Sequence, residues 1–493
     1  MTQNWLATIA LITWPLVGLW LYSTRPVSQA TLWTILGGLL LLPVGAAIKI
    51  APGIPQLDKV SIPNLAAMFG CLLVAHKPLR FWEGARVTKL LLAMFLIGPF
   101  VTSQLNGDVI FVGGGTVLPS VGNYDALSAV VGQFIYLLPF FLGRQFLHGS
   151  ADTAELMRTL AVAGILYSVP MLVEIRLSPQ LHYWLYGYYP SQFAQAVRDN
   201  GFRPIVFMGH GLMVAFFIMT ATVASAALWQ TRTRISPVAP AGVVAYLSAI
   251  LLMCKTLGAL VYGILLVLLV RFTQPRFQVR IALALAAISL AYPILRIGGL
   301  VPTTSMVELA SSISEERAAS LQFRFDNERK LLEHASERML FGWGRFGRGR
   351  VYDATSGKDA SVTDGRWIIT LGQFGLLGFL AEFGLLALPI FRAVYTLRFI
   401  ESREDRVYLT ALALIVAISM IDLLPNSTIS PWTWLLAGAL MGRTETLRAG
   451  SRRRISTSYL IGAPVLNAGR SDLSAPHDGN ADEQSGNPRG IFR

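Results

Sequence analysis

Charged residues, cysteines and histidines are all scarce in this chain. Only 14% of its 493 residues are charged, whereas a soluble globular protein carries about 25%. This shortage excludes a soluble enzyme and a disordered chain. The two cysteines, Cys71 and Cys254, cannot form a disulfide framework or a CxxC metal site. The six histidines are scattered and include no HxxxH pair. We therefore expect neither a bound metal nor a cofactor.

Long apolar runs take the place of the missing charge. Hydrophobic residues make up 53% of the sequence, and runs of bilayer length recur along most of it. The sequence therefore predicts an all-α fold, a polytopic transmembrane helical bundle of about 12–13 spans. The predicted spans are 5–22, 31–50, 62–76, 89–104, 126–147, 159–175, 205–230, 241–253, 256–272, 279–297, 367–397, 407–424 and 432–446.

Two stretches show signs of a break. Lys255 lies near the centre of 241–272, and a charge at mid-membrane costs at least about 2.5–3.5 kcal/mol. Two short helices that meet at the outer face would remove that cost. The stretch 367–397 is long enough to tilt, kink or partly re-enter the membrane.

Basic residues set the predicted orientation. The chain has 41 Lys and Arg against 28 Asp and Glu, a net charge of +13, and short loops rich in Lys and Arg face the cytoplasm. The basic loops contain Lys77, Arg80, Arg86, Lys89, Arg232, Arg234, Arg271, Arg276, Arg280, Arg398, Arg403 and Arg406, and the tail begins with Arg448, Arg452, Arg453 and Arg454. Segment 105–125 has no Lys or Arg and belongs outside. Counting spans then places the N-terminus and the loops 176–204 and 298–366 outside as well.

The large outer loop, residues 298–366, divides the chain. Transmembrane helices occupy 1–297 before it and 367–446 after it. The tail, 447–493, is rich in Ser, Gly, Asp and Asn and has few large apolar residues, so we predict that it is disordered and cytoplasmic.

An amphipathic helix is predicted inside the large loop, over residues 315–340. It follows Ser312-x-x-Glu315, a capping signature. Helical spacing then puts one apolar face together, made of Leu321, Phe325, Leu332 and Met339. We expect this helix to lie on the outer membrane surface or over a cavity.

A glycine- and arginine-rich stretch follows that helix and reads Phe-Gly-Trp-Gly-Arg-Phe-Gly-Arg-Gly-Arg over 341–350. Glycines such as Gly342 and Gly344 let a backbone approach a ligand closely. The planar, permanently charged forks of Arg345 and Arg348 suit phosphate oxygens. Alternatively, this is a flexible loop whose arginines contact lipid headgroups.

Further polar groups are predicted at the outer face. Arg203 lies just outside the membrane and His210 one or two turns inside it, while Lys255 faces the same compartment. The alternatives are that Arg203 extends to lipid headgroups and that His210 is a hydrogen-bonded packing residue. Glu174 and Arg176 end the preceding helix on the same side, where they can pair with each other.

Asp364 immediately precedes a long apolar helix on the outer side. Its carboxylate can cap that helix. Alternatively, it acts as a general base for an attacking sugar hydroxyl, with Arg366 nearby to tune or position it. Glu382 and Asp422 lie in apolar runs, where we expect carboxylates to pair across helices or to point at water. The arginines at this face could neutralise a departing diphosphate without a metal.

Three stretches give residues 60–446 a resemblance to the superfamily of O-antigen ligases and O-antigen or exopolysaccharide polymerases. The stretch 203–211, Arg-Pro-Ile-Val-Phe-Met-Gly-His-Gly, is similar to the family's arginine before a long helix. Arg324 followed by Leu-Phe-Gly-Trp-Gly at 340–344 is similar to R … P-x-G-x-G, with leucine in place of proline. The stretch 364–378, which ends Gln-Phe-Gly-Leu-Leu-Gly, is similar to H-N-x-x-L … E-x-G-L-x-G.

Two departures from the family pattern lie in that last stretch. Asp364 takes the place of the ligases' histidine, eleven residues before Gly375, and Gln373 takes the place of a common glutamate. The missing histidine argues against a typical ligase acting on lipid A core. The resemblance therefore favours the polymerase-like branch.

The resemblance implies a metal-independent, inverting glycosyltransferase in the bacterial inner membrane, with an active site facing the periplasm. The donor would be a glycan on undecaprenyl diphosphate, and a hydroxyl of another lipid-linked repeat would attack its anomeric carbon. In this interpretation Asp364 is the base or orients the acceptor. The diphosphate would be held by Arg203, Arg324 and Arg345, the second choices for substrate binding are Arg348, Lys255 and His210, and Gly342 and Gly344 would shape the loop.

The implied partners are the lipid-linked glycan, membrane lipid and envelope-biosynthesis proteins such as a chain-length regulator or a flippase, but no nucleic acid. Three alternatives stay open: an O-antigen ligase, a transporter or flippase for the same glycan, and a non-catalytic scaffold of an envelope complex. The central expectation is spatial, because Asp364, Arg203 and Arg345 must meet at the periplasmic mouth of the bundle.

Overall fold

The computed structural model describes residues 4–49, 55–198, 201–235, 238–312 and 314–461, and these residues are predominantly α-helical. The helices are α1 (Trp5–Thr24), α2 (Val27–Leu41), α3 (Ser61–Phe69), α4 (Arg86–Gln104), α5 (Asn123–Phe146), α6 (Ser150–Leu177), α7 (Leu181–Tyr186), α8 (Gly211–Gln230), α9 (Pro240–Met253), α10 (Leu257–Phe272), α11 (Pro275–Ile297), α12 (Thr303–Ser311), α13 (Glu315–Ser336), α14 (Arg366–Thr396), α15 (Arg403–Asp422) and α16 (Pro431–Ile461). The predicted all-α fold is confirmed.

The strands of the described residues form three antiparallel pairs of two residues each. They are β1 (Ala47–Ile48) with β2 (Leu57–Asp58), β3 (Ile110–Phe111) with β4 (Val117–Leu118), and β5 (Val197–Arg198) with β6 (Gly201–Phe202). Each pair lies in a loop between helices, so no sheet contributes to the bundle core.

The chain divides into two compact units, residues 1–450 and 451–493. The second unit is described only as far as Ile461, where α16 ends. The predicted disordered tail, residues 447–493, was wrong for 447–461, which belong to α16. Beyond Ile461 the prediction lies outside the described part of the chain.

The protein is a multi-pass membrane protein. Among the described residues, seven helical segments are long and apolar enough to cross a membrane: Trp5–Thr24, Arg86–Gln104, Asn123–Phe146, Ser150–Leu177, Gly211–Gln230, Pro275–Ile297 and Arg366–Phe399. Shorter apolar helices cover Val27–Leu41, Ser61–Val74, Pro240–Met253 and Leu257–Phe272. With α15 and α16, a helix lies at each of the thirteen predicted spans.

The loops predicted to be outside lie together at one end of the bundle, here called the cavity end. Arg338 of the large loop donates to Asp108 in the segment that lacks Lys and Arg (2.8 Å). Glu316 of the large loop accepts from Arg198 (3.3 Å). The backbone N–H of Asn4 donates to a carbonyl in the loop that follows α6 (3.1 Å), so the N-terminus lies at this end too.

The basic loops meet at the other end, here called the opposite end. Arg144, in the last turn of α5, donates to Glu445 of α16 (2.8 Å). Arg443 donates to Asp405 at the start of α15 (2.7 Å). The loops are therefore grouped as the charge pattern predicts, while the assignment of the cavity end to the periplasm stays a prediction.

The predicted break in the stretch 241–272 is confirmed. Helix α9 ends at Met253 and is followed by Cys254, Thr256 precedes α10, and Lys255 between them adopts a left-handed conformation (φ 50°). The Lys255 ammonium donates to the carbonyl of Arg198 at the cavity end (2.8 Å). The charge therefore avoids the membrane core.

Helix α14 reverses direction at Gly375. In a straight helix, Arg366 and Glu382 would lie about 24 Å apart, yet their side chains form a 2.6 Å ion pair. The reversal occurs at Gly375, whose backbone (φ 68°, ψ −167°) lies in a region that essentially only glycine adopts. The part before Gly375 is a short re-entrant helix, and the part after it is the span.

Helix α13 confirms the predicted amphipathic helix and its start at residue 315, but it ends at Ser336 rather than at residue 340. Ser314, rather than Ser312, precedes its first residue, and its side chain makes no capping hydrogen bond. The capping-box prediction was therefore wrong. Phe325, Leu331 and Ala335 are buried on the inner face of the helix.

The centre of the bundle is formed by α8 and α15, which are buried on nearly every side. The predicted span at 205–230 begins only at Gly211, because the residues before it form a loop. At the cavity end, α8 and α16 begin and α15 ends, and these three ends surround the candidate site.

Candidate functional site

A cavity of about 650 Å³ opens at the cavity end of the bundle. Its charged and titratable lining residues are Arg198, Arg203, His210, Arg324, Asp364 and Asp422. Its apolar wall includes Leu39, Leu212, Met213, Phe216, Phe323 and Trp432. Residues that are far apart in the sequence therefore meet in one space, with a charged side and an apolar side.

Three helices begin at this cavity. His210 caps α8, Gly365 caps the re-entrant part of α14, and α16 begins at Pro431. The N-terminus of a helix carries a partial positive charge and free N–H groups, which favour an anion. Because α15 ends at Asp422, one helix presents the opposite end of its dipole there.

Arg324 and Asp364 form an ion pair at the cavity (3.5 Å). Arg324 also donates to the carbonyl of Pro425 (3.4 Å). Both side chains are partly exposed, at 34% and 41%, and such pairs contribute about 0–1 kcal/mol to stability. A phosphate can therefore replace the carboxylate at the guanidinium group at little cost.

Arg203 and His210 belong to the loop before α8. Arg203 is buried and donates to the carbonyl of Lys255 (3.4 Å). His210 Nδ1 accepts from the N–H of Leu212 (3.1 Å), and its Nε2 lies 3.3 Å from Gln195 Oε1. This pattern fits a neutral ring with its proton on Nε2.

Burial and the positive surroundings both lower the pKa of His210. Burial lowers the pKa of its imidazole below the usual value, and the guanidinium groups of Arg203, Arg324 and Arg198 lower that pKa further. Asp364 acts in the other direction. His210 therefore offers a neutral hydrogen-bond donor to the cavity at neutral pH, and the arginines supply the positive charge.

Glu174 holds the loop that carries Arg203 and His210. Its fully buried carboxylate accepts from the N–H groups of Ile205 and Val206, both at 2.8 Å. Val206 adopts φ 45°, a costly conformation for a β-branched residue. The sequence suggested a pair between Glu174 and a neighbouring arginine, but the carboxylate satisfies backbone groups instead.

Two of the charged residues that line the cavity were not predicted as site residues. Arg198 adds a third guanidinium group and also pairs with Glu316 (3.3 Å). Asp422 adds a second carboxylate and accepts from the side chain of Asn426 (2.9 Å). The available signal for Asp422 was its place in an apolar run, where carboxylates are usually functional or paired.

Arg345 and Arg348 do not line this cavity, so the expectation that Arg345 meets Asp364 and Arg203 there was wrong. Arg348 is fully buried and donates to Asp108 Oδ1 (2.8 Å) and to the carbonyls of Asp108, Trp343 and Pro119 (2.7–3.0 Å). The predicted ligand role of Arg348 is therefore corrected, because its donors are occupied inside the protein. The guanidinium group of Arg345 lies over the ring of Phe346 (5.1 Å).

The two predicted glycines fasten the loop to α14. Gly342 and Gly344 adopt φ 72° and 83°, and the N–H of Gly344 donates to the carbonyl of Gln373 (2.9 Å). A Cβ on Gly342 would lie 2.6 Å from the Gln373 backbone. These glycines allow close contact with the tip of the reversed helix rather than with the main cavity. Gly344 also lines a separate cavity of about 440 Å³ with Gln373 and Thr363.

Arg366 and Lys255 lie outside the cavity lining as well. Arg366 donates to Glu382, which also accepts from the hydroxyl of Thr370, so this network fixes the two halves of α14 together. Glu382 pairs across helical segments, as the sequence suggested. Lys255 is bound to the carbonyl of Arg198.

Sequence comparison does not relate this chain to a known family. No protein-family model matches the chain, and no curated protein sequence matches it either. Among the described residues, no group of three or more His, Cys, Asp or Glu side chains is placed to hold a metal ion.

Proposed function

We propose that this protein polymerises undecaprenyl-diphosphate-linked oligosaccharide repeat units into a surface or exopolysaccharide. The reaction would be an inverting glycosyl transfer at the periplasmic face of the bacterial inner membrane. One observation carries the proposal: Arg203, Arg324 and Asp364 come from three separate sequence stretches and line the same cavity.

The lining suits a lipid diphosphate. Arg198, Arg203 and Arg324 supply three permanent positive charges against the carboxylates of Asp364 and Asp422. Guanidinium forks bind phosphate oxygens through two hydrogen bonds at once. The apolar wall beside them offers a place for the start of a polyprenyl chain, which a soluble sugar nucleotide would not need.

The proposed reaction assigns a role to each group. A hydroxyl of the acceptor repeat attacks the anomeric carbon of the donor, and Asp364 accepts the hydroxyl proton. The bond from the anomeric carbon to the diphosphate oxygen breaks, and its electron pair leaves with the lipid diphosphate. Arg203 and Arg324 stabilise the negative charge on that leaving group. Attack from the side opposite the leaving group inverts the anomeric carbon.

The residue set of the proposal differs from the one suggested by the sequence. Arg345 and Arg348 are removed because they do not reach the cavity. Gly342, Gly344 and Arg366 become scaffold residues that hold α14 and the large loop. Arg198 joins the diphosphate group, and His210 becomes a neutral hydrogen-bond donor to substrate.

Assay of the purified protein with a lipid-linked repeat unit tests the proposal. Polymerisation gives a longer glycan and released undecaprenyl diphosphate. Transfer only to lipid A core would identify a ligase, and a flippase or a scaffold would give neither product, so either result would overturn the proposal.

The variant Asp364→Ala tests the assignment of the base. Removal of a general base costs about 10²–10⁴-fold in rate, and the folded protein should remain because Asp364 is partly exposed. Asp326→Ala is the matched control, since Asp326 is a partly exposed carboxylate of α13 that does not line the cavity. Full activity of Asp364→Ala would contradict the assignment of Asp364 as the base.

A further inference from the structure

A cavity of about 370 Å³, here called the second cavity, lies at the opposite end of the bundle. It is formed by the loop between α3 and α4, the C-terminal end of α5, and α16. Its titratable lining residues are Lys77, Arg80, Glu83, Arg144, His148 and Glu445. Neither the fold nor the proposed glycosyl transfer needs this cavity.

The inner wall of this second cavity contains a buried arginine whose guanidinium donors are only partly hydrogen-bonded. Arg144 has 8% of its side chain exposed and donates to Glu445 (2.8 Å) and to the carbonyl of Glu83 (2.6 Å). Its Nη1 has no hydrogen-bond partner among the described residues. Glu445 also accepts from Arg392 (2.8 Å), so one carboxylate serves two guanidinium groups.

The rim adds further positive charge. Lys77 and Arg80 are exposed, and the partner of Arg80 is the exposed Glu83 (3.2 Å). Counting the lining residues Lys77, Arg80 and Arg144 against Glu83 and Glu445 gives 3 − 2 = +1. An anion is the ligand that would balance this excess.

The rim loop is held in place before any ligand binds. The side-chain amide of Gln145 accepts from the N–H of Arg80 (3.0 Å) and donates to the carbonyl of Pro78 (2.5 Å). Gly84 adopts φ 111°, and a Cβ there would lie 2.3 Å from the guanidinium group of Arg144. The loop can therefore close over Arg144 because residue 84 has no side chain.

We propose that this second cavity binds the phosphate group of an anionic phospholipid from the leaflet at the opposite end. Arginine forks match phosphate oxygens, and basic pockets between transmembrane helices recognise anionic lipid headgroups. Two neighbouring aromatic residues favour a lipid over a soluble phosphate. Phe141 lines the cavity, and Trp82 of the rim loop is 53% exposed, as is usual for tryptophan at a membrane interface.

Titration of the purified full-length protein with phosphatidylglycerol, followed by native mass spectrometry, tests this site. Phosphatidylcholine serves as the lipid without net charge. We expect at least a tenfold preference for phosphatidylglycerol, and about a tenfold loss of affinity in the double variant Lys77→Ala/Arg80→Ala. Both substituted residues are exposed, so the variant should fold. Equal binding of the two lipids would overturn the proposal.

A matched control separates this site from general attraction to basic loops. The double variant Arg276→Ala/Arg280→Ala removes two exposed arginines at the same end that do not line the cavity. Its affinity for phosphatidylglycerol should be unchanged, and an equal loss there would overturn the proposal. Displacement of the lipid by millimolar inorganic phosphate would also overturn it, in favour of a soluble ligand. None of these results depends on the glycosyl-transfer assay.

Discussion

Two groups of arginines lie at the cavity end, and their hydrogen bonds differ. The cavity arginines, Arg198, Arg203 and Arg324, make contacts of 3.3–3.5 Å. The loop arginines, Arg338, Arg348 and Arg350, make ion pairs of 2.5–2.8 Å with Asp108 and Asp359. The loop arginines therefore have close carboxylate partners, and Arg348 is also fully buried, whereas the cavity arginines line a space that can hold a ligand.

This difference shows why a dense arginine motif is a poor guide to a binding site. The glycine- and arginine-rich stretch has the strongest local signal in the sequence, yet its arginines stabilise the loop. The cavity arginines are single residues from separate stretches. A guanidinium group is available to a phosphate only where its donors are not already matched to carbonyls and carboxylates.

The largest expected effect is the loss of stability in Arg348→Met. Removal of its guanidinium group takes this donor from the carbonyls of Asp108, Trp343 and Pro119 and leaves the Asp108 carboxylate without one of its partners. A hydrogen bond to a charged group contributes about 1.5–3 kcal/mol, so the loss of four such bonds should cost about 3 kcal/mol or more. Reversible denaturation in detergent would give the free energy of unfolding of the variant and of the wild type.

Arg350→Met is the control for that measurement. The side chain of Arg350 is 49% exposed, and it forms an ion pair with Asp359. Exposed ion pairs contribute about 0–1 kcal/mol. Equal destabilisation by the two substitutions would break the comparison, since it would mean that the buried contacts of Arg348 are no stronger than a surface pair.

A smaller effect is expected on the pKa of His210, which responds to the charge of the cavity arginines. After burial, its pKa is lowered by Arg203, Arg324 and Arg198, so Arg324→Gln should move that pKa upward. Arg350→Gln should leave it unchanged. Histidine-selective ¹⁵N labelling with NMR titration would follow the ring, and an unchanged pKa in Arg324→Gln would contradict the proposed positive field.

The lowered pKa of His210 in the folded protein predicts that stability depends on pH. The folded-state pKa of His210 lies below its unfolded value of about 6.5. The unfolded chain therefore binds the proton more readily, and the contribution of His210 to stability is lost as the pH falls below about 6.5. Between that pH and the lowered pKa, His210→Asn should flatten the slope of the unfolding midpoint against pH.

The fold could largely be predicted from the sequence because bilayer length and charge are strong constraints. Every predicted span corresponds to a helix, and the Lys255 break was predictable from the cost of a charge at mid-membrane. The start of α8 was not predictable. Residues 205–207 are as apolar as a span, but Glu174 and Tyr167 take their N–H groups and keep them out of the helix.

The site could be predicted only in part. Arg203, His210, Arg324 and Asp364 line the cavity as expected, because the predicted orientation puts Arg203, His210 and Asp364 near the outer ends of spans and Arg324 in the large outer loop. The positions of Arg345 and Arg348 depend on the reversal of α14 at Gly375 and on Asp108, more than 230 residues away in sequence. No local pattern encodes those contacts.

The most direct test of the central claim is binding of undecaprenyl diphosphate to the purified protein. Loss of a charge-assisted hydrogen bond costs about 1.5–3 kcal/mol, so Arg324→Ala should bind at least about tenfold more weakly than the wild type, and Arg350→Ala should bind equally well. The opposite order, or equal affinities in all three proteins, would contradict the claim that the cavity arginines hold the lipid diphosphate.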